Sequence, residues 1–193
     1  LIATLEHNEI PYAVVEKESC CGMPKLELGD LEGVEKHKNA NIPVLAKYAK
    51  EGWAIVTPIP SCTLMYKQEL PLMFPDDADV QLVKANIFDP FEYLVHRHKA
   101  GLLDTNFPVG LGKVAYQVAC HQRVQNIGLK TKDVLSLIPG TEVKAIERCS
   151  GHDGTYGVKT EFRAASVKIA TPVAEQVGAG GADHFCSDCP MAG

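Results

Sequence analysis

Val143-Lys144-Ala145-Ile146-Glu147-Arg148-Cys149-Ser150-Gly151 is the stretch on which the fold turns. A β-branched apolar run meets a charged pair, then a cysteine, a serine and a glycine. That order reads as a strand running into a tight turn that carries a thiol. The same succession recurs. Tyr12-Ala13-Val14-Val15 runs toward Cys20-Cys21-Gly22, and Ala54-Ile55-Val56-Thr57 leads to Pro60-Ser61-Cys62. Val114-Ala115-Tyr116-Gln117-Val118 leads to Cys120, and Ala182-Asp183-His184-Phe185 leads to Cys186-Ser187-Asp188-Cys189. In open α/β folds the functional crevice lies outside the carboxyl ends of the strands, so five such placements bring the thiols to one edge.

Helical patterns fill the gaps. Leu1 to Ile10 reads as the tail of a helix. Leu31 to Trp53 carries Val34, Ile42, Leu45 and Tyr48 at roughly helical spacing. Asp89-Pro90 supplies an N-cap and a proline at N1 for a helix running to about Leu103. Leu129 to Leu137 reads as a third, ended by Pro139-Gly140. Thr160 to Val177 reads as a fourth, with an apolar stripe of Phe162, Ala165, Ile169 and Val173 and a stop at Gly178. Strands alternating with helices predict an α/β fold with mostly parallel strands and cysteines at the C-terminal strand ends.

The stretch around Cys149 has a counterpart 129 residues earlier, Val14 to Gly22, with Cys20 in the place of Cys149. Cys62 pairs with Cys189 within a two-residue indel, and Ile59 stands where Cys186 would be. Cys120 has no counterpart in the chain. The repeat places one about nine or ten residues before Leu1. The opening in mid-helix and the stop just after a cysteine pair read as an incomplete piece of a longer protein.

Composition narrows the classes. The chain has 193 residues, 46% hydrophobic and 22% charged, which excludes wholesale disorder, collagen and a coiled coil. A net charge of -5 gives no basic field for nucleic acid. No apolar run approaches the length of a transmembrane segment, and no stretch reads as a signal peptide. The odd number of cysteines, seven, fits poorly with a closed set of disulfides, so a reducing, cytoplasmic compartment is expected. There, clustered thiols read as metal ligands or redox groups.

Cys120, Cys149, Cys186 and Cys189 supply the four thiolates that a cubane 4Fe-4S cluster needs. Cys20, Cys21 and Cys62 supply three of a second set. Gly22 and Gly151 allow close backbone approach, and their turns offer N–H groups to cluster sulfurs. Zinc suits tetrahedral thiolates too, and buried thiols that simply pack as small hydrophobes are the plain alternative. His121, His152 and His184 adjoin motif cysteines and are either cluster-tuning groups or ordinary loop residues. His96 and His98 point to different faces of one helix and make a poor metal pair. Gly178-Ala179-Gly180-Gly181 follows a helix and enters a strand, the wrong order for a dinucleotide loop.

The twofold pattern Cys…Cys-Cys-Gly…Cys-x-x-Cys resembles the cysteine-rich CCG domain of the heterodisulfide reductase B subunit and of related iron–sulfur subunits. Cys21-Gly22-Met23-Pro24, Ser61-Cys62-Thr63 and Gly154-Thr155-Tyr156-Gly157-Val158-Lys159 are most similar to the branch of the anaerobic glycerol-3-phosphate dehydrogenase C subunit and the glycolate oxidase iron–sulfur subunit. The resemblance implies a first CCG-type unit over residues 1–104, cut at its N-terminal side, and a second over 105–193, cut at its C-terminal side. It implies one or two iron–sulfur clusters that relay electrons between a flavin-containing dehydrogenase subunit and quinone. A membrane-anchor protein and peripheral attachment to the inner face of the membrane go with that reading. Ser150 replaces the second cysteine of the pair in the second unit, and Ile59 replaces the first cysteine of C-x-x-C in the first. These departures favour four-thiolate cubanes over the non-cubane clusters of disulfide-reducing relatives. A heterodisulfide-reductase-like activity on a thiol or disulfide, with Cys21 as the free thiol, and a non-redox zinc or scaffold protein are the alternatives.

Overall fold

A strand of Val, Ala and Tyr buried on both faces belongs in the middle of a parallel sheet. In the computed structural model β3 (Gly112–Gln117) takes that place, with Val114, Ala115, Tyr116 and Gln117 all buried. β4 (Thr141–Ile146) and β5 (His184–Ser187) flank it in the order β4-β3-β5, and both pairings are parallel. Val114 pairs with Val143 and His184, Tyr116 with Ala145 and Cys186, and Gln117 with Ile146 and Ser187. The structure describes residues 1–15, 17–152 and 156–192, and for Tyr156 the backbone only. Of the motif quoted above, Gly154-Thr155 therefore lies outside the described residues.

The chain divides into two compact units, Leu1–Asp104 and Thr105–Gly193. In the second, short helices α8 (Cys120–Val124) and α9 (Lys130–Leu135) link β3 to β4, and α10 (Arg163–Ala179) links β4 to β5. These are parallel crossovers, which need a helix to return the chain to the start of the sheet.

The first unit is built around α3 (Leu31–Lys50), which buries Val34, Ile42, Ala46 and Ala49. Asp30 caps it by accepting from the Gly33 amide at 2.9 Å. Before it come α1 (Ile2–His7) and α2 (Met23–Glu27). After it β1 (Ile55–Val56) pairs in parallel with β2 (Ile87–Phe88). Between those strands lie α4 (Pro60–Leu64), a π-helical turn Met65–Glu69, α5 (Leu70–Met73) and α6 (Ala78–Asn86). Leu64, Met65, Leu70, Val80, Val83 and Ile87 complete the core. α7 (Pro90–Lys99) closes the unit under a full capping box between Asp89 and Glu92.

The α/β class with parallel strands holds. Several details differ from the sequence reading. The strands form two separate sheets, one per unit, instead of a single edge. Tyr12–Val15 is not a strand. Its counterpart is β4, which among the described residues pairs with β3 alone, and no residues of this chain correspond to β3 in the first unit. An isolated edge strand has nothing to bond to. α7 ends at Lys99, short of Leu103. α10 runs through Gly178 to Ala179, and residues 160–162 are a 3₁₀ turn before it. Cys186 lies within β5, not beyond it.

Candidate metal centre

The second unit hangs all four of its cysteines on one sheet edge. Cys120 is the first residue of α8, just past the end of β3, and is exposed. Cys149 lies just past the end of β4, half-buried, and its Sγ accepts from the Gly151 amide at 3.3 Å. Gly151 has φ 83°, and a Cβ there would stand 2.3 Å from the Ser166 carbonyl oxygen of α10. Ser166 Oγ donates back to the Gly151 carbonyl at 2.6 Å. Only glycine fits that close approach. Ser150 is half-buried in the same turn. Cys186 and Cys189 are half-buried at the end of β5. Burial, then the Asp188 carboxylate, push the Cys186 thiol up to about 11. Strand order β4-β3-β5 therefore brings together, at the carboxyl end of one sheet, loops far apart in sequence. Among the described residues no three His, Cys, Asp or Glu side chains already surround a common point at metal-holding geometry.

Beneath the Cys186-x-x-Cys189 turn lies a polar network that the sequence reading did not single out. Asp188 accepts from the Tyr116 hydroxyl and from Thr131 Oγ1, the latter at 2.8 Å. Tyr116 also reaches Gln122 Oε1 at 2.6 Å. Burial holds the Asp188 carboxyl above its usual range, and these donors act the other way. Ser187 Oγ donates to Gln117 Oε1 and accepts from the Cys189 amide at 3.0 Å. Gln117 Nε2 donates to the Arg148 carbonyl at 2.7 Å. The signal in the sequence was a glutamine inside an apolar strand, a residue that stays buried only when fully bonded.

The first unit brings its three thiols together. Cys21 is buried, Cys62 half-buried and Cys20 exposed. Cys21 and Cys62 share a hydrogen bond, and Cys20 contacts Cys21. The bond to Cys62, then burial, drive Cys21 far above the thiol range, while the same bond holds Cys62 below it. The proton of the pair thus stays on Cys21. Burial, then the neighbouring sulfurs of the cluster, push the hydroxyl of Tyr66, on the π-helical turn, above its ordinary range. Asn41 Nδ2 donates to the Cys20 carbonyl at 2.9 Å. Gly22 has φ 93°, with His37 Cβ 3.4 Å from where a side chain would begin. Cys62 lies inside α4, whereas its counterpart Cys189 lies in a turn after a strand, and Ile59 is the N-cap residue of α4.

The histidines are dispersed. His96 packs edge-on against Phe88 at 5.5 Å. His184 is exposed at the start of β5, and His121 and His152 are partly exposed beside their cysteines. Among the described residues, no helix is long and apolar enough to cross a membrane.

Comparison with known proteins meets this geometry. The C subunit of anaerobic glycerol-3-phosphate dehydrogenase from Escherichia coli (strain K12) is 28% identical over 191 residues, covering 98% of this chain and 48% of that protein. The B subunit of fumarate reductase (CoM/CoB) from Methanothermobacter marburgensis is 27% identical over 197 residues, covering 99% of this chain and 36% of that protein. The chain thus spans about half the length, or less, of these curated relatives. No solved structure gives a significant match. The CCG cysteine-rich domain matches twice, over residues 1–67 and 114–191, so each match takes in one of the two thiol sets and the chain belongs to the CCG cysteine-rich domain family.

Proposed function

We propose that this chain is an iron–sulfur, electron-carrying part of a larger dehydrogenase or reductase. One observation carries the reading: Cys120, Cys149, Cys186 and Cys189 follow or end the strands of a single parallel sheet at its carboxyl edge. Both relatives are named as subunits of a dehydrogenase or a reductase. The donor set fits a cluster. Soft thiolates suit iron, and the Gly151 amide already donates to Cys149 sulfur. The four cysteines of the second unit would hold one 4Fe-4S group, with Gly151 and Ser150 lining it. Cys20, Cys21 and Cys62, with Gly22, would serve in the first. When bound, such a group takes up and releases single electrons. This chain's part is to hold the thiolates, shield them from water and set the potential by burial and hydrogen bonding.

The two units are proposed as CCG-type units over residues 1–104 and 105–193. A flavin-containing dehydrogenase subunit would supply the electrons, and quinone, reached at the inner membrane face through an anchor protein, would take them. The Cys21–Cys62 hydrogen bond favours a second reading for the first unit, chemistry on a thiol or disulfide.

The test is iron and acid-labile sulfide content of full-length protein purified without oxygen, with electron paramagnetic resonance after reduction. Iron and sulfide near four each per filled site support the reading. Zinc alone would overturn it, and turnover of a disulfide substrate would shift the balance to the second reading.

A further inference from the structure

The two residues between the thiols of a C-x-x-C turn are usually written as free positions. Here both are polar and both turn inward. Ser187 engages Gln117 of β3, and Asp188 engages Tyr116 of β3 and Thr131 of α9. Their partners are among the most buried polar groups of the unit: Tyr116 is 0%, Gln117 1% and Thr131 3% exposed. Gln117 has a further property. Its amide oxygen receives Ser187 and its amide nitrogen reaches the Arg148 carbonyl, so one side chain ties the Cys186–Cys189 turn to the loop bearing Cys149.

We propose that Ser187, Asp188, Tyr116, Gln117 and Thr131 are positioning residues that fold the Cys186–Cys189 turn and tie it to the Cys149 loop before any metal arrives. The inference rests on the cluster reading for its purpose, but not for its geometry. Every bond in the network is made by protein groups alone. A buried polar group stripped of its partner is costly, so the network holds as a set or yields as a set. A lock of this kind keeps the thiolates near binding geometry and spares the metal the ordering entropy of the turn. A satisfied core network that only adds stability would be indifferent to the spectroscopy of a bound cluster and would protect all parts of the unit alike.

The experiment uses the full-length protein, metal-free and reduced, in amide hydrogen exchange read by mass spectrometry. The segment 184–190 is expected to exchange at least about tenfold more slowly than in urea. Ser187→Ala and Thr131→Val are expected to speed that segment about tenfold while leaving α10 unchanged, and Thr131→Ser to restore it. Free exchange of the turn in the unsubstituted metal-free protein overturns the proposal, whether or not any variant folds. So does equal acceleration of every segment in the variants. The same proteins are then loaded anaerobically with ferrous iron and sulfide. Ser187→Ala is expected to take up the same iron per chain but give a shifted paramagnetic signal, and an unshifted signal counts against positioning. If the unsubstituted protein takes up no iron, the cluster reading fails, while the exchange result still decides the lock.

Discussion

His37 and Ser166 hold the same station in the two halves of the chain. Each lies on the long helix after its cysteine turn, 129 residues apart, and each faces the glycine that ends that turn. His37 Cβ is the atom nearest a side chain imagined on Gly22, and the Ser166 carbonyl oxygen is nearest on Gly151. The helices share more. α3 has an internal proline at Pro43 and α10 at Pro172, again 129 residues apart. An interior proline is costly in a helix, so its presence at both places points to a common geometry retained after duplication.

The two glycines differ in how tightly they are held, and this gives the first prediction. Gly22→Ala meets a positive φ and a 3.4 Å contact with a side chain, and is expected to cost about 1–2 kcal/mol. Gly151→Ala meets a positive φ and a backbone oxygen at 2.3 Å, and is expected to cost on the order of 3–4 kcal/mol. Urea unfolding checks the order. An equal loss at both would mean that the α10 turn yields where the structure shows it tight.

Asp77 gives a pH-dependent prediction. It caps α6 through the Asp79 and Val80 amides at 3.1 Å and pairs with Lys38 at 2.7 Å. The Lys38 ammonium, then the backbone donors, hold its carboxyl below the ordinary 3.8 despite the opposing pull of desolvation. A depressed acid stabilises the fold above its unfolded value, and that contribution is lost as pH falls through the folded value. Asp77→Asn keeps the cap and removes the charge. The variant is therefore expected to be less stable at about pH 6 by on the order of 1 kcal/mol, with the gap closing below the ordinary carboxylate range. Urea midpoints across that range test it, and a gap that persists in acid would contradict the pairing.

Thiol labelling separates the cysteines. In metal-free, reduced protein Cys20 and Cys120 are exposed and are expected to alkylate first. Cys186, at about 11, leaves on the order of one thiolate in ten thousand at pH 7 and should lag. Cys21, 6% exposed and holding the proton of its pair with Cys62, should come last. Peptide mass spectrometry during a timed reaction with N-ethylmaleimide gives the order directly. Early modification of Cys21 would mean that its pair with Cys62 does not form.

Much of this was legible in the residues because it depends on local order. β3 and β4 announce themselves through β-branched runs ahead of a cysteine, and the turn after β4 through a cysteine and a glycine in succession. Asp89-Pro90 announced α7 by capping chemistry alone. What stayed hidden depends on partners distant in sequence. Tyr12–Val15 has strand composition, yet a strand exists only by pairing, and its expected neighbour is not among these residues. The helical stretch from Pro60 to Met73 carries two prolines and no clean apolar period, and burial against α6 stabilises it. The Asp188 network joins residues up to 72 positions apart, so beyond the glutamine inside an apolar strand no window along the chain shows its partners.

The strand order β4-β3-β5 also fixes a timetable. The central strand is made first, its neighbour on one side next, and its neighbour on the other only after α10. Closing contacts so distant along the chain is slow compared with winding a helix. During synthesis on the ribosome, Cys120 and Cys149 therefore wait for β5, and with it Cys186 and Cys189, to emerge and dock. On the cluster reading, loading of this unit follows translation, and the waiting thiols are the stage at which oxygen does the most harm.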